Sequence, residues 1–288
     1  MRSLKSSWHI CLQNLRKWQT DYRIWIIGLM AVILIAVFED GMRNIADYLG
    51  LKPPIWIFPF IYYQFYTKLS YMVLIILLFC NAPFTDQNQV FVLMRSGHKK
   101  WLLGQILYIV TASGLFYAFL LAVSLLLSVL GAEFSWEWGD VIKNIVANPL
   151  IIYDANGRFV EISHLITTFF KPVQAVWFTL LLSFLCTVFI GLLIFFCNLV
   201  TGTKSLGIFI SGALAAFSSM VDNAPNYMLR KAAIHFSPFS WMTLNNVDVG
   251  NLTVCPSFTY CVCVYLILIA ALTAAIFIFG RKKSVDVK

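Results

Sequence analysis

VQAVWFTLLLSFLCTVFIGLLIFFCNLV, residues 173–200, carries no charged side chain. An α-helix rises 1.5 Å per residue, so about 20 such residues cross the roughly 30 Å hydrocarbon core of a bilayer. Similar runs recur along the 288 residues. The chain is 60% hydrophobic and 16% aromatic with only 12% charged residues, against roughly a quarter charged in soluble domains. These blocks predict an integral membrane protein. The first 23 residues carry basic groups throughout and lack an isolated apolar core with a small-residue cleavage site, so no cleavable signal peptide is expected.

Six spans can be drawn, over residues 24–38, 55–80, 102–130, 173–200, 206–221 and 258–279. The expected fold is therefore all-α and polytopic, a single transmembrane domain of six helices. Lys and Arg residues number 13 on the side of the two termini and 7 on the other, with Lys68 inside a span. Cationic loops stay in the cytoplasm, which places both termini there. The net charge of +8 then reads as membrane topology. A nucleic-acid surface would need cations clustered on a soluble face, which is not expected here. The nine tryptophans (8, 18, 25, 56, 101, 136, 138, 177 and 241) all fall at span ends, in loops or in the N-terminal segment, as indole rings prefer the headgroup layer. Seven cysteines without CxxC spacing argue against a disulfide framework and a zinc site; the one bond the spacing leaves open is Cys255–Cys261. No metal site is expected.

Ahead of the first span, Leu4, Trp8, Leu12, Leu15 and Trp18 recur at helical spacing, with Lys5, Arg16 and Lys17 off that line. Residues 1–22 are read as an amphipathic helix lying on the cytoplasmic face.

The largest inner loop, residues 84–101, ends in Arg95-Ser96-Gly97-His98-Lys99-Lys100-Trp101. Asp86 can cap a helix and Gln89 can reach back, as in a capping box. Val90 to Met94, with Phe91 among them, gives that helix an apolar side. Gly97 is a natural stop, and Trp101 marks return to the interface. Cations here also satisfy the topology rule and touch anionic lipid, at about 1 kcal/mol each. That accounts for the charge and leaves the capped helix unexplained.

Lys68 is the one ionisable side chain well inside a span. An unpaired cation at the bilayer centre costs about 2.5–3.5 kcal/mol on insertion scales, so it should meet a partner, a cavity or the interface. The fifth span carries Gly207, Ser211, Ala215 and Ser219, each four apart, a small-residue stripe suited to close helix packing. Residues 222–257 form an outer segment in which Asn226 to Phe236 reads as a short helix ended by Pro238. It is too apolar to float free, so it should tuck back against the other helices as a re-entrant segment. Asn251-Leu252-Thr253 is formally a glycosylation sequon. No span holds Asp or Glu, which leaves a proton- or sodium-coupled carrier without a carboxylate relay. HExxH and GxSxG are absent, and Gly202-Thr203-Lys204-Ser205 lacks the upstream glycine of a phosphate loop.

An interfacial N-terminal helix, six spans with both ends inside, a structured basic loop between spans two and three and a re-entrant segment between spans five and six together resemble the permease subunit of the ABC-2 (type V) exporters of bacteria. The local signature is Arg95-x-Gly97 followed by Lys99, Lys100 and Trp101. The resemblance implies a coupling helix over Asp86–Gly97, contacting a separate ATP-binding subunit through Asp86, Gln89, Phe91, Met94, Arg95, Gly97, His98, Lys99, Lys100 and Trp101. The helix bearing Trp8, Leu12, Leu15 and Trp18 would pack nearby. It further implies two permease copies (a homodimer or a sister pair) and two ATPase copies, which hold the ATP and Mg; this chain itself carries no cofactor and no catalytic residue. Tyr62, Tyr63, Phe65 and Lys68, with Gly207, Ser211, Ala215 and Ser219, would lie near the substrate path or the dimer interface. The expected activity is ATP-driven export, through the bacterial cytoplasmic membrane, of a hydrophobic or amphipathic substrate such as a peptide, bacteriocin or toxin. The competing readings are an ATP-independent secondary transporter and an immunity or sensor protein that binds a toxic peptide without moving it.

Overall fold

The computed structural model describes residues 2–84, 89–129, 131–132, 134–248 and 255–283, and every regular element among them is helical. The only extended pairing in that set is an isolated bridge between Asp248 and Ser257. Five helices are long and apolar enough to cross a membrane: α2 (Tyr22–Leu49), α5 (His98–Val129), α9 (Pro172–Thr201), α10 (Ser205–Asp222) and α12 (Phe258–Lys283), the last through Gly280. Ahead of them lies α1 (Arg2–Arg16). Between α2 and α5 come α3 (Phe65–Phe79) and the short α4 (Gln89–Ser96). The connection from α5 to α9 carries α6 (Asp140–Ala147), α7 (Ile151–Asp154) and α8 (His164–Phe169), and α11 (Tyr227–Ala233) follows α10.

Local chemistry explains the breaks. Asp21 caps α2 by accepting from the Arg23 amide at 3.1 Å, and Arg23 returns a guanidinium N–H to the same carboxylate at 2.8 Å. Pro172 sits in the first turn of α9, where its missing N–H costs nothing. The Asn226 side chain accepts from the amides of Met228 and Leu229 to start α11.

The helices alternate in direction about α9, which packs against α3, α5, α10 and α12. Asn198, near the end of α9, shows how closely they meet. Its amide donates to the Ala82 carbonyl at 2.8 Å, while its oxygen accepts from the Gly207 amide at 2.8 Å. A Cβ built on Gly207 would lie 2.6 Å from that oxygen and 2.7 Å from the Ile194 carbonyl. Gly207, Ser211 and Ala215 are buried against the chain's own helices. The small-residue stripe is thus spent on packing within the chain, and three of its four members have no surface left for a dimer interface. Ser219, the fourth, is half-buried and faces Met72 of α3.

The expected spans need three corrections. The second is not one helix over 55–80. Residues 55–64 form a buried irregular stretch with a 3-10 turn at Phe58–Phe60, and only Phe65–Phe79 is α-helical. Fifteen residues reach about 22 Å, short of a bilayer core, and non-helical backbone is tolerated at depth where protein buries it. The first span runs on to Leu49, past the expected end at Phe38, and so takes in Glu39, Asp40 and Asp47. At 28 residues this helix is about 42 Å long, more than a bilayer core requires, and its acids lie in the second half. Glu39 is buried, paired with Arg43 at 3.4 Å and accepting from the Ser128 hydroxyl at 3.3 Å, while Arg43 donates to the Leu127 carbonyl at 2.7 Å. Helical continuation costs Glu39 little once Ser128 of α5 and Arg43 supply its partners, while Asp40 and Asp47 stay exposed. The third correction concerns residues 131–171, which hold three short helices where the sequence suggested only a loop. Cys261 is a buried free thiol, so no bond to Cys255 forms.

Both described chain ends lie at one end of the bundle. The Ser7 hydroxyl of α1 donates to the Lys100 carbonyl at 3.0 Å, and Gly280 near the end of α12 packs on His98 and Leu102. This basic end also holds α4 and the loop from α9 to α10. The opposite end gathers the start of α3, the end of α10 and the segment after α11.

Candidate functional site

At the basic end the chain leaves α3, passes a short connection and enters α4. The connection is fixed at several points. Arg23 donates to the Cys80 sulfur at 2.8 Å, Asn198 holds the Ala82 carbonyl, and Lys17 donates to the Phe84 carbonyl at 3.3 Å. The Phe84 ring meets Tyr108 edge-on at 4.5 Å. Asp86 lies outside the described residues, as does the Gln89 side chain, although the Gln89 backbone opens α4. Gly97 ends that helix in the left-handed region, φ +78°, with its amide donating to the Leu93 carbonyl at 2.8 Å. A residue with a Cβ is disfavoured there, so a glycine is what lets α4 stop and α5 begin on consecutive residues.

Two faces of α4 differ. Val92 and Leu93 pack on the core, whereas Phe91 and Met94 stand 71% and 79% exposed, with Arg95 exposed beside them. Positions i, i+3 and i+4 share one side of a helix, so this outer side is apolar with a cationic edge, extended by the exposed Lys99. His98, Lys99 and Lys100 belong to the first turn of α5 and not to a tip of α4. Trp101 is 4% exposed and packs on Phe195 with ring centroids 6.4 Å apart.

The N-terminal helix is turned from its expected face. Ser7, Ile10, Cys11 and Asn14 are the buried positions, while Trp8 is 45% exposed and Leu12 and Leu15 are half-buried. At 100° per residue, this face is roughly a third of a turn from the line through Trp8, Leu12 and Leu15; the Leu4 side chain lies outside the described set. The reason is polar. The side-chain amides of Asn14 and Gln105 meet at 3.0 Å in a buried site, Lys17 donates to the Asn14 oxygen at 3.0 Å, and the Trp18 indole donates to Tyr108 at 2.8 Å. Gly104 brings the backbones together, with Ile10 filling the place of its missing side chain. Burial pushes the Cys11 thiol above its usual range, partly offset by its contact with Thr111 at 3.2 Å. Asn14 and Gln105 escaped the sequence reading because apolar periodicity ignores isolated uncharged amides. α1, α5 and the connection 80–84 thus make a braced mount from which α4 projects.

At the far end Lys68 has the partner that its position demanded. Its ammonium meets Asp222 at 2.5 Å, and both side chains are largely buried. Asn246 donates to the other Asp222 oxygen at 2.9 Å and to the Ser240 carbonyl at 3.1 Å, and Arg230 donates to the Asn246 oxygen at 3.2 Å. Tyr62 is fully buried and crosses Tyr71 edge-on at 4.7 Å; Tyr63 is half-buried and Phe65 is 37% exposed. Lys68, Tyr62 and the stripe at Gly207–Ala215 are therefore interior to one chain. Asp222, Ser240 and Asn246 lay in a segment whose pairing no local pattern encodes.

The segment 222–257 packs back on the bundle mainly in its second half among the described residues. Pro238–Met242 and Leu244–Asn246 are buried 3-10 turns, but the helical piece ahead of them leaves Tyr227, Met228 and Leu229 exposed. The sequon at 251–253 lies outside the described residues. Among the described residues no group of three or more His, Cys, Asp or Glu could hold a metal ion.

No protein-family model matches the chain, and no curated protein or solved structure matches it either. Function must therefore be argued from the two ends of the bundle.

Proposed function

We propose that this chain is the membrane-embedded permease subunit of an ATP-driven exporter of the ABC-2 type. In this reading it sits in the bacterial cytoplasmic membrane with six crossings, α3 and its buried lead-in supplying the second, and with both termini in the cytoplasm. A separate ATP-binding subunit carries ATP and Mg. Two such subunits serve two permease chains, and the cargo is a hydrophobic or amphipathic molecule such as a peptide.

The observation that carries the reading is α4. An eight-residue helix stands at the cation-rich end on a braced mount, with Phe91, Met94 and Arg95 turned outward and exposed among the described residues. Exposed apolar side chains beside cations, beyond the end of a span, suit a groove on a protein partner. A partner that pushed α4 would push α5 directly, since only Gly97 separates them, and would press on α1 through the amide pair of Asn14 and Gln105. The force then reaches α9 through Asn198 and Trp101. Each link is a packed or hydrogen-bonded contact, as a lever requires.

An ion-driven transporter working alone is the second reading, favoured by the buried Lys68–Asp222 pair, because intramembrane ionisable groups mark transport paths. Expression with an ABC ATPase encoded by a neighbouring gene separates the two. Co-purification in mild detergent and ATP-driven transport in vesicles are expected. Transport that follows an ion gradient with no ATPase bound would overturn the exporter reading.

A further inference from the structure

The buried polar cluster opposite α4 ties three parts of the chain that are distant in sequence. Lys68 belongs to the first turn of α3, Asp222 is the last residue of α10, and Ser240 and Asn246 belong to the 3-10 segment after α11. The Ser240 carbonyl is its hub, accepting from Lys68 at 3.5 Å, from Asn246 at 3.1 Å and from the Thr243 hydroxyl at 3.1 Å. On its other side the segment is greasy, with Phe239, Trp241, Met242 and Leu244 buried. Toward α12 it packs Trp241 against Tyr260 and Tyr265, with ring centroids 5.8 and 5.3 Å apart, and Tyr265 donates to the Pro238 carbonyl; toward α9 it accepts from Ser183 at the Met242 carbonyl at 3.4 Å and from Cys186 at the Pro238 carbonyl at 3.8 Å.

What lies just inside this cluster is unusual for a helix seam. Tyr71 is one turn on from Lys68 along α3, and Ser218 is one turn back from Asp222 along α10. The two helices pack against each other, and both hydroxyls are buried without a hydrogen-bond partner among the described residues, as is that of Tyr62. A buried hydroxyl left unpaired costs about 1–3 kcal/mol. The seam and the segment also meet directly, the Ser240 hydroxyl donating to the Ser218 carbonyl of α10 at 3.4 Å.

We infer that Lys68, Asp222 and Asn246 form a latch, which holds residues 237–247 as a plug across the α3–α10 seam and yields when those helices separate. The physics favours a two-state device. With both charges present the pair is self-enforcing, because losing one partner strands the other in a poorly solvated site, at about 3–5 kcal/mol. Any motion that separates α3 from α10 must therefore break the pair and the Lys68 bond to the Ser240 carbonyl together, leaving Asn246 as the segment's tie to Asp222. On the exporter reading, the opening is the outward exit for cargo; the latch itself requires only that the seam part.

Hydrogen exchange read by mass spectrometry, on the full chain in lipid nanodiscs, tests this. Asp222→Asn and Lys68→Met should each speed exchange of the amides in 237–247 by roughly tenfold or more, with α9 and α12 unchanged. Asn246→Ala leaves the ion pair and removes only the tether, so it carries the same expectation should either charge variant fail to fold. Unchanged exchange in 237–247 would overturn the latch. Faster exchange throughout the bundle would overturn it too, since the cluster would then be general support for the fold. Failure of any ATPase to co-purify would sink the exporter reading and leave this result standing.

Discussion

On the proposed coupling to an ATPase, removing the outer face of α4 should uncouple the two without touching the fold. Phe91 and Met94 are 71% and 79% exposed, so Phe91→Ala/Met94→Ala takes little packing from the protein alone. Fully burying a side chain of this size contributes about 1.5–3 kcal/mol. A groove that covers what is now exposed, less the β-carbon that alanine keeps, gains about 1–2 kcal/mol from each. The pair is then worth about 2–4 kcal/mol of binding, a roughly 30- to 900-fold weaker Kd for the ATPase in the double variant. The assay is binding of the purified ATPase to the permease in nanodiscs, with a melting curve of the permease alone as control. Phe134→Ala, exposed by 62% beyond the far end of α5, should leave binding unchanged. A Kd within threefold of wild type, or an equal loss from Phe134→Ala, would refute the placement of the docking face on α4.

Three further outcomes follow from particular contacts. Gly97→Ala meets no neighbouring atom but must hold φ +78°, costing about 1–2 kcal/mol; thermal unfolding should register the loss, and Gly97→Asn should recover part of it. Gly207→Val drives a side chain into the Asn198 oxygen and the Ile194 backbone. Overpacking costs about 1–3 kcal/mol and the lost amide bond about 1 kcal/mol more, which a lowered melting temperature in detergent should show. Cys11 is fully buried and its thiol pKa is raised, so at neutral pH it should resist maleimide. Asn14→Ala, which frees α1 from Gln105, should make it react, as peptide mapping would reveal; equal labelling of Cys11 in both proteins would show that α1 is not docked through Asn14.

By itself, the sequence determined what depends on short stretches read alone. Long uncharged runs such as 173–200 leave a helix as the only way to satisfy the backbone in lipid. Gly97 between the apolar run Val90–Met94 and a basic turn marks the break before α5, and an interior cation such as Lys68 demands a partner. Only the tertiary structure decided where groups far apart in the chain meet. Asp222 as the partner of Lys68, 154 positions away, and Asn14 against Gln105, 91 positions away, leave no periodic trace because one polar residue carries each contact. The irregular stretch 55–64 reads as part of a span, since its apolar composition reports burial and not helicity. Glu39, too, looks like the end of a span until Ser128 and Arg43 supply its bonds, because the cost of an acid at depth depends on its neighbours and not on its own position in the chain.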